Sequence, residues 1–227
     1  MRSQRHEHEP PLFRVVAAVV KGVMRILGWR IRIHGLEHIP ADGPVVIVAN
    51  HPSYIDPLLL GLGVNRRGRM VRYLAKRELF DHWFTGPVMR GAEQILVDRR
   101  GDAGAALRHA ERAMTEGKLL IIFPEGTIHP SLDPANAKTG AARLVLACNV
   151  PLVPAVAWGG QQVATKGQRK RPGLFTTHVV RFGPPLSYAP SDSVNDLTRR
   201  IMESLADLLE EAVAEHPADL GTGIIRR

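Results

Sequence analysis

Val45-Val46-Ile47-Val48-Ala49 runs directly into Asn50-His51-Pro52-Ser53-Tyr54-Ile55-Asp56. Five consecutive apolar residues, four of them β-branched, read as a strand buried on both faces. His51 and Asp56 then sit five apart on the turn leaving that strand, with Pro52 and Pro57 constraining the backbone. Strand ends in α/β folds are where chemistry is usually placed. An imidazole held by a carboxylate is a base able to take a proton from an alcohol near neutral pH. Asp56 equally suits the cap of a helix whose first residue is Pro57, and His51 suits a satisfied strand-end side chain.

Working outward, strand and helix signals alternate. Ile31–His34, Arg72–Ala75, Gln94–Val97, Leu119–Phe123, Leu152–Ala157 and His178–Phe182 read as further strands. Helical patterns fall at Pro57–Gly63, Asp102–Glu116 (stopped by Gly117), Lys138–Asn149 and from about Ser193 to Glu215, where Ser193 and Asp196 suit a capping box. This alternation predicts an α/β fold: a central, largely parallel or mixed sheet covered by helices on both faces. Asn65–Arg72 and Lys166–Arg171 read as basic loops interrupting it.

The N-terminal region differs. Residues 1–11 read as a loose, flexible arm, with His6 and His8 as exposed tail histidines. Across 12–29, Arg14, Lys21 and Arg25 share one side of a helix, while Leu12, Val16, Val19, Val23, Ile26 and Leu27 take the opposite side. That is the pattern of an amphipathic helix lying in a bilayer interface, and also of a surface helix packed on a domain. The expected organisation is therefore 1–29 as arm and membrane-associating helix, and 30–227 as the main domain.

A chain of 227 residues, 44% hydrophobic and 23% charged, is long and apolar enough for one sizeable folded domain. The single Cys148, in an apolar helical stretch, excludes an internal disulfide framework and fits a reducing compartment and a buried structural thiol. No secretory signal is recognisable, and no apolar run approaches the roughly 20 residues of a spanning helix. A net charge of +8 calls for an acidic partner: nucleic acid, an anionic membrane surface or a phosphorylated substrate. Aromatics at 5% and no recognisable reading motif argue against nucleic acid. Walker A, HExxH, CxxC and G-x-S-x-G patterns are absent, and Gly61-Leu62-Gly63 meets Arg66 where a dinucleotide fingerprint needs glycine.

A second constellation joins the first. Phe123-Pro124-Glu125-Gly126-Thr127 leaves a buried strand, Val97-Asp98-Arg99 leaves another, and Val150-Pro151-Leu152-Val153-Pro154 follows. With the His51–Asp56 turn, these stand in the order of the four motif blocks of glycerolipid acyltransferases. Over roughly residues 30 to 190 the chain resembles the PlsC-like 1-acylglycerol-3-phosphate O-acyltransferase family.

The resemblance implies acyl transfer from a thioester, on coenzyme A (acyl-CoA) or acyl carrier protein, to the hydroxyl of a lysophospholipid, giving phosphatidic acid in phospholipid biosynthesis. On it, His51 is the general base and Asp56 orients it. Arg99 holds the acceptor's phosphate, and Glu125, Gly126 and Thr127 form the acceptor-binding loop. No metal and no cofactor beyond the acyl-donor cosubstrate is implied. The family commonly continues the last block with arginine and serine, whereas this chain has Ile128 and His129. Lys138, Arg100, His129 or Lys166 are candidates for the missing phosphate contact. A lipid acceptor and the basic helix together imply a peripheral (monotopic) position on the cytoplasmic face of the cell membrane.

Overall fold

The computed structural model describes residues 10–97, 103–167 and 173–217. Their strands form one seven-stranded sheet: β1 (Arg30–His34), β2 (Val45–Ala49), β3 (Val71–Lys76), β4 (Ile95–Val97), β5 (Leu119–Ile122), β6 (Leu152–Trp158) and β7 (Thr177–Phe182). The order across the sheet is β1-β7-β6-β2-β5-β3-β4. From β6 to β4 all neighbours are parallel, while β7 runs antiparallel to β6 and parallel to β1. The sheet is mixed, as the sequence predicts.

β2 lies at the centre, and its side chains alternate between two cores. Val46 and Val48 face a layer built with α5 (Ala103–Thr115), α6 (Gly140–Cys148) and α7 (Val194–Glu215). Val45, Ile47 and Ala49 face the other layer, where α2 (Asp56–Arg66) contributes Leu59, Leu60 and Val64 and α1 (Pro11–Ile26) contributes Met24. That double burial is why the strand carries no polar alternation. α7 seats Leu197, Ile201, Leu205, Leu208 and Ala212 on the sheet, and the Ser193 hydroxyl caps it by accepting from the Asp196 N–H at 3.0 Å.

Several expectations are adjusted. α2 runs a turn beyond Gly63, because that glycine serves close packing against the Phe182 ring rather than a stop. α1 ends at Ile26, where Gly28 at φ +67° turns the chain into Trp29. Its apolar side is divided: Val20 and Met24 pack on the body, whereas Val15, Val19, Val23 and Ile26 stay exposed, Ile26 at 83%. α3 (Arg77–Asp81) and α4 (Thr85–Gly91) fill a segment without an assignment from sequence. Cys148 is half-buried at the edge of its core rather than enclosed, and burial raises its thiol pKa.

The basic stretch Asn65–Arg72 is not a solvated loop. Asn65 and Arg66 finish α2, and Val71 and Arg72 begin β3. Arg69 is buried and donates to the carbonyls of Pro40, Gly43 and Gly117, while Arg72 is buried against Glu93 at 2.5 Å. A buried guanidinium that donates to acceptors from other segments is a structural cross-link rather than a surface charge. Residues 168–172 of the second basic stretch lie outside the described residues.

Candidate active site

β2, β5 and β6 are parallel, so the chain leaves all three at the same end of the sheet. Three connections meet there: the His51–Asp56 turn after β2, the Phe123–Thr127 turn after β5 and the Gly159–Thr165 loop after β6. Asn50 fixes the first. Its side-chain amide copies a strand residue, accepting from the Ala157 N–H at 2.8 Å and donating to the Ala157 carbonyl at 3.2 Å. The β6 loop completes the clamp, with Tyr54 N–H on the Ala164 carbonyl at 3.0 Å and the Thr165 hydroxyl on the Pro52 carbonyl at 2.7 Å.

His51 Nδ1 and Asp56 Oδ2 lie 3.1 Å apart. Asp56 is fully buried as the first residue of α2 and accepts two further bonds from Ser53, from its N–H at 2.6 Å and from its hydroxyl. The Ser53 hydroxyl is thus committed to the carboxylate, not to the imidazole. Burial raises the Asp56 pKa against the opposing pull of His51 and Ser53. Gly160 packs so closely that a Cβ there would stand 2.3 Å from Ser53 Oγ and 2.9 Å from Asp56 Oδ1. With Nδ1 held, the imidazole presents Nε2 outward, and its side chain keeps 15% exposure. Phe123 stacks on the ring at 4.2 Å between centroids, and Tyr73 stacks behind Phe123 while donating its hydroxyl to the Pro57 carbonyl at 2.6 Å.

Glu125 faces the same turn. Its Oε1 accepts from the His51 N–H at 3.3 Å, while its buried Oε2 has no hydrogen-bond partner among the described residues. Burial, aided by the Asp56 charge and opposed by the His51 N–H, pushes its carboxyl up to about 8. The His129 N–H donates to the His51 carbonyl at 3.0 Å, tying the two turns together. Gly126 adopts φ +65°, a conformation glycine accepts at no steric cost, and a Cβ there would lie 2.6 Å from Lys138 Nζ. Lys138 is anchored by its own N–H on the Pro124 carbonyl at 2.8 Å, so its chain lies over Gly126.

The structure therefore gathers His51, Asp56, Glu125, Gly126 and Lys138, with Thr127 next on the same turn. Arg99 and Arg100 lie outside the described residues. The Asn50 clamp, the Phe123–Tyr73 stack and the Gly160 contact were not identified from sequence. Asn50 and Phe123 stand within the quoted motifs, but Tyr73 and Gly160 carry no local signal because their partners lie across the sheet. Among the described residues no group of three or more His, Cys, Asp or Glu side chains is placed to hold a metal ion. What the arrangement can do is accept a proton at Nε2 beside a turn with an ammonium above it.

Known proteins resemble this chain in sequence and fold. The Acyltransferase family model matches residues 30–158. A 1-acyl-sn-glycerol-3-phosphate acyltransferase of Bacillus subtilis is 27% identical over 162 residues, 70% of this chain and 79% of that protein. The alpha form of 1-acyl-sn-glycerol-3-phosphate acyltransferase from Homo sapiens is 30% identical over 202 residues, 87% of this chain and 70% of that protein. The crystal structure of PlsC, the 1-acyl-sn-glycerophosphate (LPA) acyltransferase of Thermotoga maritima, superposes with a TM-score of 0.71 at 24% identity, covering 87% of this chain and 78% of that one, a likeness of fold. A family match over more than half the chain, with a relative 30% identical over most of both sequences, shows that this chain belongs to the acyltransferase family.

Proposed function

We propose that the protein transfers a fatty acyl group from a thioester to the free hydroxyl of 1-acylglycerol-3-phosphate, giving phosphatidic acid. The observation that carries this reading is the His51–Asp56 pair at 3.1 Å, set beside the Glu125–Gly126 turn in a chain of this family. Asp56 keeps the imidazole proton on Nδ1, leaving Nε2 to take the acceptor's hydroxyl proton. The acceptor oxygen bonds to the thioester carbonyl carbon, the carbon–sulfur bond breaks, and the departing thiolate recovers the proton from the imidazolium. No electron changes hands, so the step calls for no redox group, and the acyl donor, coenzyme A or an acyl carrier protein, is consumed as cosubstrate.

The ammonium of Lys138 above Gly126 suits the acceptor's phosphate in place of the arginine that Ile128 displaces. Arg99 is proposed as a second phosphate contact on the resemblance alone. Thr127 and Glu125 would bond to the glycerol or phosphate oxygens. The proposed acceptor is lipid, and the exposed apolar side of α1 supports attachment to a membrane surface, which we assign to the cytoplasmic face on the resemblance alone. Trp83, exposed between α3 and α4, supplies an amphipathic aromatic of the kind that favours such an interface, and exposed Phe84 beside it adds apolar surface. Among the described residues no helix is long and apolar enough to cross a membrane.

The test is release of free thiol from an acyl-coenzyme A, measured with 1-acylglycerol-3-phosphate, with 1-monoacylglycerol and with no acceptor. Release that depends on the phosphorylated acceptor is expected. Equal release with monoacylglycerol would reject the phosphate assignment, and silence with every lysolipid and either donor carrier would reject the substrate class.

A further inference from the structure

α1 and α2 cover one face of the sheet, and beside β1 they leave a groove of about 500 Å³. Pockets that bind small molecules span about 300–1,000 Å³. The floor is apolar, made by Met24, Trp29, Ile31 and Leu62. The rim is cationic, with Lys21 and Arg25 on α1 and Arg66 at the end of α2, and among the described residues no carboxylate lines it. The Lys21 ammonium donates to the Asn65 side-chain oxygen at 2.7 Å, a neutral partner that leaves its charge uncompensated. An apolar floor under three positive charges complements one kind of molecule, an amphiphile with an anionic head.

We propose that this groove binds one anionic phospholipid drawn from the bilayer, separately from the acceptor being acylated. Its phosphate sits among Lys21, Arg25 and Arg66, where guanidinium forks match phosphate oxygens. The first part of an acyl chain lies on Met24, Trp29 and Leu62. Val15, Val19, Val23 and Ile26 are also exposed on α1, the helix that supplies Lys21 and Arg25, so the element bearing the cationic rim offers an apolar surface to a bilayer as well. The site is not the catalytic one. Asp56 opens α2, and Leu62 and Arg66 follow it by roughly 9 and 15 Å along the helix axis at 1.5 Å per residue. A lipid held there bridges α1 to the helix whose first residue holds His51.

The experiment titrates the full chain with monomeric dihexanoylphosphatidylglycerol by calorimetry. Saturable binding of one lipid per chain is expected, with dihexanoylphosphatidylcholine and inorganic phosphate each at least tenfold weaker. Gly22 also lines the groove, and a Cβ there meets nothing within 4 Å, so Gly22→Phe fills the space without changing charge or crowding the fold. Both Gly22→Phe and the exposed-site variant Arg66→Ala should weaken binding at least tenfold while acceptor-dependent thiol release from soluble substrates stays as in the wild type. Unaltered binding in both variants, or equal binding of phosphatidylcholine or of free phosphate, would overturn the proposal. So would loss of binding in Lys138→Ala with the groove variants silent, since that places the lipid in the acceptor site. The thiol-release assay stands or falls independently of these titrations.

Discussion

The His51 turn and the N-terminal helix, neighbours in one small fold, are held by opposite means. From Asn50 to Asp56 the turn is fastened by directional bonds: a two-point amide clamp on Ala157, the Tyr54–Ala164 and Thr165–Pro52 bonds, and the Ser53 bonds to Asp56. α1 instead rests on the body through Val20 and Met24 and leaves a row of aliphatic side chains in solvent. Proton transfer demands atoms placed to within tenths of an ångström, which hydrogen bonds supply. Adhesion to a disordered surface demands only area and charge. Elements with few buried contacts also open most readily, so α1 should exchange its amide hydrogens before the turn does.

Five substitutions bear on this contrast, in falling order of effect. His51→Ala removes the proposed base and should lower turnover by about 10²–10⁴-fold while circular dichroism reports a native fold. Wild-type turnover in that variant would remove His51 from the chemistry. Asn50→Ala strips partners from the buried N–H and carbonyl of Ala157, each costing about 1–3 kcal/mol. A loss of about 2–6 kcal/mol in urea denaturation is expected, and an unchanged midpoint would show that the clamp is dispensable.

Glu125 makes the turn sensitive to pH. Its carboxyl titrates at about 8 in the folded protein against an ordinary 4.5, so between those values the native state keeps a proton that the unfolded chain has released. With respect to this group, stability is greatest below the unfolded value and falls as pH rises through the folded one; buried Asp56 acts in the same direction. Glu125→Gln should therefore flatten the decline in melting temperature over that range. A variant whose curve parallels the wild type would show Glu125 ionised in the native state. At the other extreme, Val19→Glu and Val23→Glu sit at exposed positions and should shift stability by no more than about 0.5 kcal/mol. They should nevertheless reduce sedimentation with anionic vesicles, and undiminished sedimentation would exclude that face from membrane contact.

The same contrast governs what can be read from sequence. Val45–Ala49 and Leu119–Ile122 are legible because double burial removes every polar residue from the run. His51, Asp56, Glu125 and Gly126 are legible because their spacing is local. Lys138 is one of four candidates until the backbone lays it over Gly126. The Arg69 and Arg72 cross-links are misread as surface charge, since their acceptors come from distant loops. α3 and α4, of 5 and 7 residues, are too short for a helical period to register. Strand order and the reversal of β7 depend on pairings far apart in the chain, which no local pattern encodes.

That reversal has a geometric outcome. Because β1 and β7 run against the other strands, β1 begins beside the tip of β6, so the junction of α1 with β1 arrives at the edge of the sheet from which His51 emerges. With β1 in the opposite sense, the junction would lie at the far edge, about 16 Å away at 3.3 Å per residue. A substrate lifted through water over such a gap would expose its chain at a cost of about 0.8 kcal/mol per methylene. For the proposed lipid acceptor and a membrane-bound α1, two backward strands would shorten the lateral slide from leaflet to nucleophilic encounter and keep the hydrocarbon tail dry.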